Sequence, residues 1–186
     1  PYGYGFAGYL EGETHGVIYD RYDLWKVSLD GSEKAVNLTK GWGRKENIRL
    51  RNVRLDYETP YLTEELMLIG FDEVNKNDGF YTATTPKKQA PEALLVTDHS
   101  YRYPTKAKDA DRMLWRRETY QEYPDLYVSD MDFSNEVKLS NANPQQEEIL
   151  WGDVRKVSWT AYDGTELEGL LYTPEDFDPN KEYPML

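Results

Sequence analysis

The chain has 186 residues, 39% of them hydrophobic, with a formal net charge of −12 from 22 Lys and Arg against 34 Asp and Glu. That length allows a domain with a real core, and the acidic balance argues against a nucleic-acid partner held by its phosphates. With no Cys in the chain, a disulfide framework, a thiol nucleophile and a cysteine metal site are all excluded.

Aromatic residues make up 14% of the chain, with 16 Tyr and 5 Trp, a bias that suits side chains packed on pleated sheets. No apolar run is long enough to span a membrane as a helix. The opening Pro1-Tyr2-Gly3-Tyr4-Gly5 carries no initiator Met and no signal peptide, and it reads as a chain truncated at its front. Composition leaves the compartment open.

Taken in order, the predicted strands fall into groups separated by turn chemistry. A first group spans residues 16–19, 23–29 and 35–38. A second spans 48–56, 65–72 and 79–84, with 93–98 as its outer strand. A third spans 113–120, 125–130 and 136–139. A closing pair spans 154–161 and 166–172. Asp30-Gly31, residues 75–79, residues 132–135 and residues 141–144 supply the breaks. Helix is expected to be scarce, with one or two turns at residues 58–66 and 107–112.

An internal repeat supports this grouping. Asp23-Leu24-Trp25-Lys26-Val27-Ser28-Leu29-Asp30 matches Asp125-Leu126-Tyr127-Val128-Ser129-Asp130-Met131-Asp132, at an offset of 125 − 23 = 102 residues. That is about two propeller-blade lengths of roughly 40–50 residues. A middle copy is expected between them, at Asp78-Gly79-Phe80-Tyr81-Thr82, preceded by the apolar run Leu66-Met67-Leu68-Ile69-Gly70. The fold class is therefore all-β: a partial β-propeller of about three antiparallel blades plus a C-terminal hairpin. The division expected is a propeller portion over 1–150 and a junction over 151–186.

Few residues invite chemistry. His15 and His99 are the only histidines, and both read as surface or loop residues of blades. Asp109, Asp111 and the pair Glu147-Glu148 read as solvated charge. Arg49 and Arg51 share one face of their strand by its period of two, with Arg54 just beyond. They could meet a substrate carboxylate in a propeller tunnel, although pairing with nearby acids is the simpler expectation. Asn37-Leu38-Thr39 fits a glycosylation sequon but coincides with a blade turn and reads as structural. No catalytic, cofactor or metal-binding residue is identified.

The last stretch, residues 157–186, holds a hairpin turned at Asp163-Gly164, then Pro174, Pro179 and Pro184, then Tyr183-Pro184-Met185-Leu186 as the entrance to an apolar strand. An apolar strand with nothing after it implies a piece of something longer. Here the sequence resembles the junction in prolyl oligopeptidase-family serine peptidases, where a β-propeller hands over to an α/β-hydrolase domain. The residues that carry the resemblance are Trp159, Asp163-Gly164, Glu168-Gly169, Tyr172-Thr173-Pro174, Phe177-Asp178-Pro179 and Lys181-Glu182-Tyr183-Pro184. Upstream, Tyr22-Asp23-Leu24-Trp25, Asn37-Leu38-Thr39 and Tyr123-Pro124-Asp125-Leu126-Tyr127 are similar to blade segments of the same family, including its dipeptidyl-peptidase and acylaminoacyl-peptidase members.

The resemblance implies a nucleophilic Ser in a Gly-x-Ser-x-Gly elbow, followed by Asp and His. No Ser here lies in that pattern, so the catalytic domain would lie outside this chain. In dipeptidyl-peptidase members an acidic pair from the propeller region grips the substrate's amino terminus. Glu64-Glu65 is an adjacent acidic pair, but the surroundings Leu62-Thr63-Glu64-Glu65-Leu66 do not match that motif, and the role is not assigned to it. Two function classes remain open. One is the non-catalytic propeller portion of a serine peptidase, gating short peptides to a missing domain, periplasmic or cytoplasmic if the parent is bacterial. The other is a stand-alone propeller-like binding or scaffold module. In either case the open ends predict self-association.

Overall fold

The computed structural model describes residues 3–185, so Pro1, Tyr2 and Leu186 lie outside the described residues. Among the described residues fourteen strands form three four-stranded sheets and one two-stranded sheet. The first sheet contains β1 (Phe6–Tyr9), β2 (His15–Tyr19), β3 (Leu24–Ser28) and β4 (Val36–Asn37). The second contains β5 (Ile48–Val53), β6 (Glu65–Asp72), β7 (Asp78–Thr84) and β8 (Glu92–Val96). The third contains β9 (Ser100–Lys106), β10 (Arg112–Glu118), β11 (Asp125–Asp130) and β12 (Val137–Lys138). The hairpin contains β13 (Asp153–Thr160) and β14 (Glu166–Thr173). Within each sheet the strands lie in chain order and pair antiparallel, as in the blades of a propeller.

Period-two alternation in the middle sheet builds two cores at once. Ile48, Leu50, Leu66, Leu68, Tyr81 and Ala83 face the first sheet and pack with Val17, Leu24 and Leu38. Phe80, with the partly buried Met67 and Ile69, faces the third sheet and packs with Tyr101, Met113, Trp115, Tyr127 and Phe133. A sheet covered on both faces reads as a continuous apolar run, which is why Leu66-Met67-Leu68-Ile69 lacks polar alternation. The second core is largely aromatic: Phe80 stacks on Phe133 at 4.4 Å and Trp115 on Tyr127 at 5.0 Å.

The predicted middle copy of the repeat is confirmed in position. Asp78 and Asp125 open the third strand of their sheets, Asp23 immediately precedes the third strand of its own, and all three are buried. Each carboxylate accepts from the chain that leaves its sheet. Asp23 takes the Thr39 hydroxyl at 2.6 Å and the Gly43 amide at 3.0 Å. Asp78 takes the Ser100 hydroxyl at 2.9 Å and the Tyr101 amide at 3.1 Å. Asp125 takes the Ser140 hydroxyl at 2.5 Å and the Ala142 amide at 2.8 Å. A buried carboxylate must find such donors, and here they fix the exit of each sheet.

Two first strands were not predicted. β1 lies in a glycine-rich stretch, where Leu62 packs so close to Gly8 that a Cβ there would meet its Cγ at 2.9 Å. β9 contains Pro104 and a left-handed Tyr103 (φ 54°) opposite an irregularity in the register, a combination tolerated because β9 is an edge strand. The helical turns expected at residues 58–66 and 107–112 are absent. The first stretch is irregular until β6 begins and the second is a turn. Helix forms instead at α1 (Trp42–Glu46), ended by a left-handed Asn47, and as a 3-10 turn over Pro144–Glu148.

The hairpin runs as expected, with Gly164 at φ 84° in its turn. Its Val154–Tyr172 side lies toward the sheets: Tyr172 meets Tyr120 edge-on at 5.4 Å, and the Lys156 ammonium donates to the Val74 carbonyl at 2.9 Å. Both sides stay largely open: Trp159 and Leu167 are exposed on the other side, with Val157 and Leu171 beside them partly covered, and Leu170 and Tyr172 are 58% exposed on the near side. Beyond Thr173 the described residues form no strand. Phe177 and Tyr183 pack ring on ring at 5.1 Å, and Met185 is exposed.

Candidate functional site

A concavity lined mainly by arginines lies between the second and third sheets. Arg49 and Arg51 come from β5, Arg102 from β9, and Ile69, Phe71 and Asp78 from β6 and β7. They enclose a cleft of about 340 Å³. The placement follows from strand periodicity. Ile48 and Leu50 point into the first core, so Arg49 and Arg51 must point the other way. In the same way Tyr101 is buried and Arg102 beside it turns outward.

The three guanidiniums are compensated differently. Arg102 reaches Asp78 at 3.2 Å. Arg49 reaches Glu73 at 3.3 Å and lies over the Phe71 ring at 4.9 Å. Glu73 is shared, since it also pairs with Arg21 at 2.8 Å and accepts from the Tyr22 hydroxyl at 2.9 Å. Partial burial alone would raise the Glu73 pKa. The hydrogen bonds from Arg21 and Tyr22 and the charges of Arg21 and Arg49 hold it below the ordinary carboxylate value.

Arg51 differs from both. Among the described residues no carboxylate lies within ion-pair distance of it. Its Nη1 donates to the carbonyls of Leu50 at 2.7 Å and Arg21 at 3.4 Å, and its guanidinium lies over the Tyr19 ring at 4.7 Å. Burial, with the neighbouring Arg49 charge, lowers its pKa below the ordinary arginine value, against the opposing influence of Tyr19 and of the Asp20 carboxylate beyond ion-pair distance. It stays a cation at neutral pH, half-buried and held only by neutral groups. Pairing with nearby acids, the simpler expectation from the sequence, is thus met by Arg49 and not by Arg51. Arg54 lies outside the cleft and donates to the carbonyls of Asp56 at 3.1 Å and Thr59 at 2.9 Å. Arg102 was missed because β9 was missed.

The other candidates stay dispersed. His15 lies 3.3 Å from Glu33. His99 lies 3.1 Å from Asp98 and 3.3 Å from Glu122, with the Thr97 hydroxyl at 2.8 Å. Glu64 and Glu65 are exposed at the start of β6. Asp109 and Asp111 flank the β9–β10 turn, and Glu147 and Glu148 lie exposed in the 3-10 turn. Thr39 of the sequon is fully buried against Asp23.

No family model matches the sequence, and no curated protein matches it. Solved structures do match in shape. The AtxE2 isopeptidase with astexin-3 (dC4) bound is similar at a TM-score of 0.58 and 14% identity, over 96% of this chain. The fold is that of a partial β-propeller. The AtxE2 isopeptidase without ligand is similar at 0.57 and 14% identity over the same share. The chain spans about a quarter of the length of both, 25%. A prolyl endopeptidase structure follows at 0.46, with 12% identity, covering 91% of this chain and 31% of that one. At such identities the propeller likeness is a likeness of fold.

Proposed function

We propose that this chain is the non-catalytic propeller portion of a serine peptidase similar to the prolyl oligopeptidase family. It would admit short peptides to a catalytic domain that the chain itself does not contain. The observation that carries this reading is the extent of the shape match: nearly the whole chain, 96%, aligns with a quarter of the AtxE2 isopeptidase, a protein that binds the peptide astexin-3. The hairpin after the third sheet, which leaves Trp159, Leu167, Leu170 and Tyr172 exposed, supports it as a surface for a further domain.

The test is the coding sequence that follows Leu186. A Gly-x-Ser-x-Gly elbow followed by Asp and His, in a longer protein labelled by a fluorophosphonate probe, supports the reading. Stoichiometric labelling of a serine in the 186-residue chain alone would overturn it. The second reading, an independent binding or scaffold module, is favoured by one observation: both inter-sheet cores close within these residues. A coding sequence that ends without an elbow would establish it.

A further inference from the structure

We infer that the arginine cleft between the second and third sheets binds the carboxylate of a peptide's C-terminal residue, with Arg51 as the principal contact. The inference rests on the peptide-gating reading and names the chemistry that gate would recognise. Three features carry it. First, Arg51 is half-buried and has no carboxylate partner among the described residues, although the whole chain carries a charge of −12. Of the three arginines that line the cleft it alone has no carboxylate within ion-pair distance, the charge of Asp20 acting on it only from farther off. Its planar fork suits a two-oxygen acceptor.

Second, the flanking cations are already engaged. Arg49 shares Glu73 and Arg102 holds Asp78. One guanidinium of the lining, Arg51, therefore remains without an ion pair, which matches a singly charged carboxylate better than a phosphate dianion. Third, the cleft is amphipathic and small. Ile69 and Phe71 provide an apolar wall beside the guanidiniums, and about 340 Å³ is at the low end of ligand sites. That volume suits the end of a chain with an apolar last side chain. The first strands β5 and β9, which carry all three arginines, form the same edge of their sheets. In a ring of blades that edge takes the inner position, where a passing peptide would meet it.

The test uses the full 186-residue chain and two probes, acetyl-Ala-Ala-Leu with a free carboxylate and the same peptide as its C-terminal carboxamide. Binding is followed through the arginine Nε–Hε signals by NMR at neutral pH and low salt. The acid is expected to shift the Arg51 signal and to bind about tenfold more tightly than the amide. Arg51→Gln should abolish that preference, whereas Arg54→Gln, outside the cleft, should retain it. Equal binding of acid and amide by the wild-type chain would overturn the inference without any variant having to fold. So would displacement of the acid by inorganic phosphate at lower concentration than the acid itself requires. Either result leaves the peptidase reading intact if an elbow follows Leu186. A preference for the acid without such an elbow would retain the cleft and overturn the gate.

Discussion

Trp115 shows how much one side chain organises in the second core. It is fully buried, donates its Nε1 hydrogen to the Ser129 hydroxyl at 3.1 Å, stacks on Tyr127 and meets Tyr101 edge-on at 5.5 Å. Trp115→Ala should cost about 3–5 kcal/mol in urea unfolding, because it opens a large cavity and removes the donor to the Ser129 hydroxyl, which keeps only its bond to the Asp130 carbonyl. Trp159→Ala, on the open side of the hairpin, should cost less than about 1 kcal/mol. Comparable losses would mean that the Trp159 side is covered. Asp125 adds a pH dependence. Burial opposes its ionisation, but the Lys138 ammonium at 2.6 Å, the Ser140 hydroxyl and the Ala142 amide outweigh it and bring its pKa from 3.8 to about 2. A depressed carboxylate stabilises the fold above its ordinary pKa, and that contribution is lost as pH falls through the folded value. Wild-type stability should therefore decline between about pH 4 and pH 2. Asp125→Asn should be less stable at pH 7 and lose less across that window, as measured by denaturant midpoints at each pH.

Among the elements, the hairpin depends most on its docking. Two strands alone are marginal in water, so the segment is held by its entry. The Trp151 Nε1 hydrogen goes to the Tyr120 carbonyl at 2.6 Å, and Gln121 donates to Asp153 at 2.7 Å. Gly152 makes the bend at φ 86°, where a Cβ would run into the Thr173 carbonyl oxygen. Gly152→Ala should detach the pair while the sheets persist. Hydrogen exchange would then lose protection over residues 153–173 and keep it at β6 and β7. Simultaneous loss everywhere would mean that the hairpin is integral to the folded unit. The buried aspartates act at the same scale, joining each sheet to the chain that leaves it.

For the whole molecule, the balance lies between apolar surface and charge. The first sheet exposes Phe6 and Ile18 on its outer side, the third exposes Leu114 and Leu126, and the hairpin exposes Trp159 and Leu167. At about 25 cal/mol per Å², an apolar face of a few hundred Å² contributes several kcal/mol to association, before the entropy of association is subtracted. The charge of −12 opposes this at low salt and is screened within about 8 Å at physiological ionic strength. Sedimentation across a hundredfold concentration range should therefore show a dimer or larger species that salt promotes. A monomer throughout would mean that these faces are too small or too interrupted to pair.

The sequence alone determined the blades, since their information is local. Alternation, turn residues and the Asp-led repeat set β6 and β11 at their observed bounds and placed the middle copy at Asp78. It did not reveal β1 or β9, whose glycines and Pro104 carry no strand signal and whose pairing is imposed by the neighbouring strand. The arginine cleft was legible by half. A period of two put Arg49 and Arg51 on one face, but which of them lacked a counter-ion depended on Glu73, brought beside Arg49 by the β5–β6 pairing. The β5–β6 pairing also set Phe71 and Ile69 beside the two arginines as an apolar wall, and only the packing of the third sheet on the second could add Arg102. Charge pairing between residues far apart in sequence is a property of distance, and distances exist only once the sheets have packed.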